Sequence, residues 1–267
     1  MTYVPARVMA VTPHGDDVTL FAGGTLARWI KAGSEVMVIR VTQDEKDSIE
    51  HPVDETVALN HREFDEAMSV LGVQTTVHLG FRDCELLDTP YGKVRGNLIR
   101  RIRNFRPEVI LGFDPAVTDD DNPDHRVTAT ADAAWAAAYP NFYPEHAEAE
   151  LDTHVVRGCY YFTTQFVRGD TVVDIAEVLE QKTRAVVCHR TMMRALLANH
   201  QDRMAAAGFR IPALEALRLD DYAPYWERLV KAAAALAAQG TGFKAAERFR
   251  STFLTEQDPL VQYLLSL

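Results

Sequence analysis

Cysteine is scarce in this sequence, with three residues in 267 at Cys84, Cys159 and Cys188. They lie far apart and form no Cys-x-x-Cys pair, which excludes both a disulfide framework and a cysteine-based zinc knuckle. Buried, reduced thiols in a cytoplasmic protein are therefore expected.

Four further features are missing, and each argues against a class of protein. No apolar run approaches the ~20 residues of a membrane span, and the first residues lack the basic-then-apolar pattern of a signal peptide. Basic residues are outnumbered, 28 to 38, so the net charge of −10 argues against a nucleic-acid partner. No Gly-x-Gly-x-x-Gly follows the first apolar run, which argues against a dinucleotide-binding dehydrogenase.

Apolar runs alternate with helical patterns through the first two thirds of the chain. This alternation predicts an α/β, Rossmann-like fold with a mostly parallel sheet flanked by helices. The predicted strands are 7–12, 35–42, 75–79, 109–113, 155–163 and a short 171–175. The predicted helices between them are 19–32, 56–71, 94–105 and 127–138.

The pattern beyond residue 175 is helical. Helices are predicted over 177–198, 222–239 and 242–249, and the less regular 208–224 is predicted to be a loop or lid. We therefore divide the chain into a Rossmann-like core, 1–175, and a helical C-terminal region, 176–267, packed on the same domain.

The first chemical element is Pro13-His14-Gly15-Asp16-Asp17, directly after the first strand. Ligands bind at the C-terminal edge of a parallel sheet, so this cluster is well placed for a site. His14 and Asp17 are three residues apart and can converge on a divalent metal if a turn or helix begins there. Asp16 points another way and is available as a base.

The second element follows the fourth strand, where Asn122-Pro123-Asp124-His125 opens the next helix. A loop after another parallel strand reaches the same edge of the sheet, so His125 could complete a His–Asp–His set. The acidic run 119–121 just before it is either a solvated loop or a source of negative field near the site.

With these two elements the sequence resembles the LmbE-like, or PIG-L, zinc-dependent N-deacetylases. That family carries His-Pro-Asp-Asp after strand one and His-Pro-Asp-His after a later strand. The resemblance covers roughly residues 7 to 190. It implies one Zn²⁺ per chain held by His14, Asp17 and His125, with Asp16 as the general base. It also implies that Arg62, in Arg62-Glu63-Phe64-Asp65-Glu66 ahead of 71–72, contacts the substrate as the arginine of the family's Arg-x-x-Glu pattern does.

Two positions depart from the family pattern. Gly15 replaces the usual proline, which removes no functional group. Asn122 replaces a histidine that assists the reaction in the family, and an amide can donate a hydrogen bond to an oxyanion but cannot carry a proton at neutral pH. Either Asn122 or His189 is the candidate for that assisting role.

The predicted function is hydrolysis of a small N-acylated molecule, with removal of an N-acetyl group from an amino sugar or its conjugate. A zinc amidohydrolase acting on a non-sugar amide or a thiol conjugate is one alternative, and a non-catalytic homologue that binds a metal or ligand is another. The ligand set also suits iron, cobalt or nickel. A homo-oligomer is in keeping with the resemblance.

Overall fold

A computed structural model describes residues 3–117, 122–128, 130–139, 151–253 and 259–267. The acidic run 119–121 lies outside the described residues. Within them, none of the helices has a stretch long and apolar enough to cross a membrane.

A seven-stranded sheet forms the centre of the molecule. Its strands are β1 (Arg7–Thr12), β2 (Glu35–Thr42), β3 (Thr75–Phe81), β4 (Val109–Phe113), β5 (Gly158–Phe162), β6 (Thr171–Asp174) and β7 (Ala246–Phe253). Their order across the sheet is β3-β2-β1-β4-β5-β7-β6. The first five strands pair in parallel, and β7 runs antiparallel to both of its neighbours. The predicted α/β fold with a mostly parallel, helix-flanked sheet is confirmed.

Helices cover both faces of the sheet. They are α1 (Asp17–Lys31), α2 (Val53–Leu71), α3 (Tyr91–Phe105), α4 (Pro123–Val127), α5 (Thr130–Ala137), α6 (Leu179–Cys188), α7 (Arg190–Ala206), α8 (Pro212–Glu215), α9 (Tyr222–Ala237) and α10 (Pro259–Leu265). Along β1, Val8 and Ala10 join one apolar core, whereas Met9 and Val11 join the other. Such burial on both faces is why the central strands have few polar residues.

The predicted helix over 242–249 is wrong, because this segment ends in strand β7. Its residues 246–253 pair with β5 and β6, placing Phe253 opposite Gly158 and Phe249 opposite Thr171. Phe249 is fully buried in the core and packs edge-on against Tyr160, with ring centroids 5.6 Å apart. Burial of alternate side chains against the sheet outweighs the helical composition of the alanine-rich segment before it. The division after residue 175 stays a prediction, and β7 joins the sheet from beyond it.

Two other expectations need correction. The helix predicted over 177–198 is interrupted at His189, whose ψ of 59° ends α6 before α7 begins. The segment 208–224 is not simply a loop, because it holds α8 and a 3₁₀ helix, Leu219–Asp221.

Of the three cysteines, Cys159 and Cys188 are buried as expected, but Cys84 is exposed.

Candidate functional site

The candidate site is a cleft at the C-terminal edge of the parallel strands, where the loops after β1 to β4 meet. It has a volume of about 560 Å³ and is lined by His14, Asp16, Asp17, Asn122 and His125, among others. The structure therefore brings together five of the seven residues singled out from the sequence, from segments more than 100 residues apart. Open α/β sheets bind their ligands at this edge.

The backbone of the loop after β1 is held by hydrogen bonds to the side chains of Thr12 and Asp44. The Thr12 hydroxyl donates to the His14 carbonyl at 2.6 Å and accepts from the Val18 N–H at 3.2 Å. The Gly15 N–H donates to Asp44 Oδ2 at 3.1 Å. A Cβ at Gly15 would lie 3.2 Å from both Asp44 Oδ2 and the Phe64 ring, closer than ordinary van der Waals contact. Glycine at this position is therefore the residue that fits the packing of this chain.

The second element is built as the start of a short helix. Asn122 is the N-cap of α4, and its Oδ1 accepts from the Asp124 N–H at 2.9 Å. Asparagine is among the best N-cap residues, and proline is favoured directly after it. The His125 ring stacks on Phe113, with centroids 3.8 Å apart and planes 10° apart. This cap and this stacking fix the direction in which the His125 ring faces the cleft.

His14, Asp17 and His125 form a compact group of possible metal ligands. Their donor atoms all lie within 4.8 Å of one another, and the three residues are 5 to 7 % exposed. His14 Nδ1 lies 3.0 Å from Asp17 Oδ2, and His125 Nε2 lies 3.4 Å from Asp17 Oδ1. Neighbouring ligand atoms around a tetrahedral zinc ion are about 3.3 Å apart, so these separations fit a metal.

Ring geometry gives an independent test of the fit. Two imidazoles that radiate from one tetrahedral metal have ring centroids about 5 Å apart. The His14 and His125 centroids are 5.5 Å apart with planes at 63°. A second His/Asp group, formed by His61, Asp65 and His78, has its two rings stacked at 3.8 Å and 24°. The first group has the arrangement of metal ligands, whereas the second is a stacked pair beside a carboxylate.

Two adjacent carboxylates in the cleft have opposite electrostatic environments. Burial, with the charge of Asp17 beside it, raises the pKa of Asp16 to about 8. Burial would also raise the pKa of Asp17, but the His125 and His14 rings in contact with it lower that pKa below its usual range. Such a separation of two neighbouring carboxyl groups is typical of acid–base sites.

Sequence reasoning missed the contribution of the loops after β2 and β3. Asp83 follows β3, and its Oδ1 lies 3.3 Å from His14 Nε2. Burial would raise the pKa of Asp83, but the contact with His14 lowers it. Lys46 and Asp47 follow β2 and also line the cleft. The rule that placed the site after β1 and β4 applies equally to β2 and β3, so it could have identified these three residues.

The structure does not bring Arg62 or His189 to the cleft. The Arg62 side chain is exposed on α2, and the next residue, Glu63, is the one that faces inward. His189 is fully buried, and its Nε2 bonds to the Thr19 hydroxyl at 3.0 Å, behind α1. The interruption between α6 and α7 places this histidine in the packing of the C-terminal helices against α1.

Comparisons with known proteins identify relatives of this chain. Residues 9–138 match the family model described as PIG-L, GlcNAc-PI de-N-acetylase. A diacetylchitobiose deacetylase of Thermococcus kodakarensis is 30 % identical over 190 residues, covering 69 % of each chain. A mycothiol S-conjugate amidase of Streptomyces coelicolor is 34 % identical over 163 residues, covering 52 % of this chain and 55 % of the amidase.

Among solved structures, an N,N'-diacetylchitobiose deacetylase from Pyrococcus horikoshii has a similar fold. It superimposes with a TM-score of 0.76 at 24 % identity and covers 93 % of this chain and 84 % of its own. The fold, the two chemical elements and the extent of the sequence match lead to one conclusion. The chain belongs to the PIG-L, or LmbE-like, family of enzymes that hydrolyse N-acyl amide bonds.

Proposed function

We propose that this protein removes an N-acyl group, in the first place N-acetyl, from an amino sugar or its conjugate. The observation that carries the proposal is Asp16. It is a buried carboxyl group in the cleft that stands outside the His14–Asp17–His125 group and has a raised pKa. A protein that only held a metal would have little use for this second carboxylate.

His14, Asp17 and His125 would hold one divalent metal, which we propose is Zn²⁺. When bound, such a metal polarises the acyl carbonyl and makes a water molecule easier to deprotonate. His14 Nε2 faces Asp83 while Nδ1 faces Asp17. Asp83 therefore serves to orient the ring, as carboxylates beside metal-bound histidines commonly do.

Asp16 moves the proton in this proposal. It takes a proton from the attacking water, whose oxygen forms the new bond to the acyl carbon. When the C–N bond breaks, Asp16 returns the proton to the departing nitrogen, so that a carboxylic acid and a free amine are released. A group with a pKa near neutrality is suited to accept and return a proton in one cycle.

Asn122 would assist as a hydrogen-bond donor. Its Oδ1 is engaged as the cap of α4, so the amide nitrogen is the atom that can donate to the oxyanion. The family's histidine could also transfer a proton, whereas this asparagine cannot. The proposal therefore assigns all proton transfer to Asp16.

The polar residues that line the cleft near the reacting groups suit a hydroxylated substrate. Lys46, Asp47 and Asp83 line it beside the reacting groups, and Asp47 Oδ2 is buried without a hydrogen-bond partner among the described residues. Sugar hydroxyls can donate to carboxylates and accept from lysine. These residues take the role that the sequence assigned to Arg62.

The test is amine release by purified protein that has been stripped of metal and then reloaded with one equivalent of Zn²⁺. The panel holds N-acetylglucosamine, diacetylchitobiose, a simple N-acetyl alkylamine and an S-alkylated N-acetylcysteine as a thiol conjugate. Release from the sugars only after reloading is the expected result. Release confined to the alkylamine or the S-conjugate would move the function to a non-sugar amide or a thiol conjugate. Metal uptake with no release would indicate a binding protein.

A further inference from the structure

The cleft has a second side that the reaction does not use. Besides the polar residues of the loops, the cleft is lined by an apolar wall that includes Leu20, Phe166, Met192, Leu196, Trp226 and Leu229. Leu20 lies on α1, three residues after Asp17, so this apolar wall begins within one helical turn of the candidate metal ligands. The two sides therefore belong to one continuous cleft.

The apolar wall is fixed by packing. Leu20, Met192 and Trp226 belong to one buried cluster, and each is at most 6 % exposed. The Trp226 indole N–H donates to the Met193 carbonyl at 2.9 Å. At the start of α7, the Glu63 carboxylate accepts from both the N–H and the hydroxyl of Thr191. These contacts anchor Trp226 and the start of α7, and with them this part of the wall.

The arrangement of α7 shows how the wall changes along its length. Residues 192, 196, 199, 200 and 203 line the cleft, and their spacing places them on one face of the helix. Met192 and Leu196 are apolar, whereas Asn199, His200 and Arg203 are polar. The apolar surface thus forms a bounded patch next to the reacting groups and gives way to polar residues farther along the helix.

We propose that the apolar wall binds an apolar group carried by the substrate, an extension that rests on the proposed amide hydrolysis. An N-acetylated sugar alone presents hydroxyl groups that this wall has no means of satisfying. A cleft of about 560 Å³ is in the range that encloses a drug-sized ligand. The substrate is therefore an amphipathic N-acylated amine, with a polar part on the loops and a chain or ring on the helices.

The apolar group can be attached at either end of the amide, and two substrate series distinguish these sources. One series lengthens the acyl group of glucosamine from acetyl to octanoyl. The other keeps N-acetyl and lengthens the glycoside from methyl to octyl. All are assayed for amine release below the concentration at which micelles form. We expect kcat/KM to rise by up to about fourfold for each buried methylene in one of the two series.

Two variants test whether the apolar wall causes the rise of kcat/KM with chain length. In L229N, the ratio of kcat/KM between the longest and the shortest substrate of the series should be at least about fivefold smaller than in the wild type. A polar side chain then faces the alkyl group. L236N is the matched control on the same helix, since Leu236 is 46 % exposed and does not line the cleft. It should keep the wild-type gain, and thermal melting checks that both variants are folded.

Failure of this inference is distinct from failure of the proposed function. Hydrolysis of the shortest members with kcat/KM unchanged along both series overturns the apolar subsite and leaves the hydrolase intact. Equal loss of the gain in L229N and L236N also overturns it. No hydrolysis of any member, long or short, contradicts the proposed function on which the subsite rests.

Discussion

Two groups of identical composition, each with two histidines and an aspartate, differ in this molecule in burial and in ring geometry. His14, Asp17 and His125 are buried, and the two histidine rings have centroids 5.5 Å apart with planes at 63°. His61, Asp65 and His78 sit on the outer side of α2 and β3, where the His61 and Asp65 side chains are nearly half exposed and the histidine rings stack. The comparison teaches that groups alike in residue type and in the proximity of their ligand atoms can differ in environment. Burial and ring direction distinguish the two groups.

Replacing one histidine in each group gives the largest expected contrast. H125A should lower Zn²⁺ affinity more than about 100-fold and abolish amine release, because it removes one of three ligands. H78A should keep one metal per chain and near wild-type turnover. Metal content after dialysis, measured by mass spectrometry, checks both. Equal metal loss in the two variants would remove the distinction between the groups.

Asn122 beside the buried group has two roles in this account, as the N-cap of α4 and as a hydrogen-bond donor to the oxyanion, and one substitution can separate them. N122D keeps the side-chain oxygen that caps α4 but loses the amide N–H, so kcat should fall about 100-fold. The melting temperature should change little, since the cap is retained. Steady-state kinetics and a thermal melt on the same preparation are sufficient. An unchanged kcat would show that Asn122 is only a cap and that the oxyanion is stabilised without it.

The affinity of the buried group, formed by His14, Asp17 and His125, for a metal should depend on pH. Burial alone would lower the pKa of His14, but Asp17 and the other carboxylates around it raise that pKa well above 6.5 in the metal-free protein. A protonated imidazole cannot bind a metal, so affinity should fall about tenfold for each pH unit below neutrality. Competition with a chelator between pH 7.5 and 5.5 measures the slope, and a flat profile would argue against His14 as a ligand.

In the surface group, formed by His61, Asp65 and His78, protonation of His78 should slightly lower the free energy of unfolding as the pH falls. Burial and the nearby charge of Arg40 lower the pKa of His78 to about 4. Below pH 6.5 the unfolded chain takes up a proton that the folded chain resists, so stability falls as pH drops from 6.5 toward 4. Because His78 is partly exposed, the loss between pH 6.5 and 5 should be about 1 kcal/mol. Urea unfolding should show a flatter pH profile for H78Q, and equal slopes would contradict this pKa.

The sequence predicted that His14, Asp17 and His125 would lie close together, because each of the two elements follows a strand. His14, Asp16 and Asp17 sit within four residues after a strand, and the element around His125 repeats that placement. Parallel strand order then brings their loops to one edge of the sheet. Strands β1, β2 and β4 were predicted with their observed bounds because burial on both faces leaves a continuous apolar run.

What the sequence could not show depends on long-range packing. Strand β7 is recognisable only through its partners, since Glu247 within it is buried by an ion pair with Lys182 at 2.7 Å. Arg62 and Glu63 are adjacent in a motif, and only the packing of α2 against α7 decides which of them turns inward. Neither the pairing of β7 nor the inward orientation of Glu63 can be predicted from helical propensity or motif spacing.

The central claim is that Asp16 performs the proton transfer beside a metal that it does not hold. The most direct measurement is metal content and amine release for D16N and for D65N, the same substitution in the surface group. We predict one metal per chain in both variants, with kcat reduced at least about 100-fold in D16N alone. Full activity in D16N with its metal in place would contradict the account.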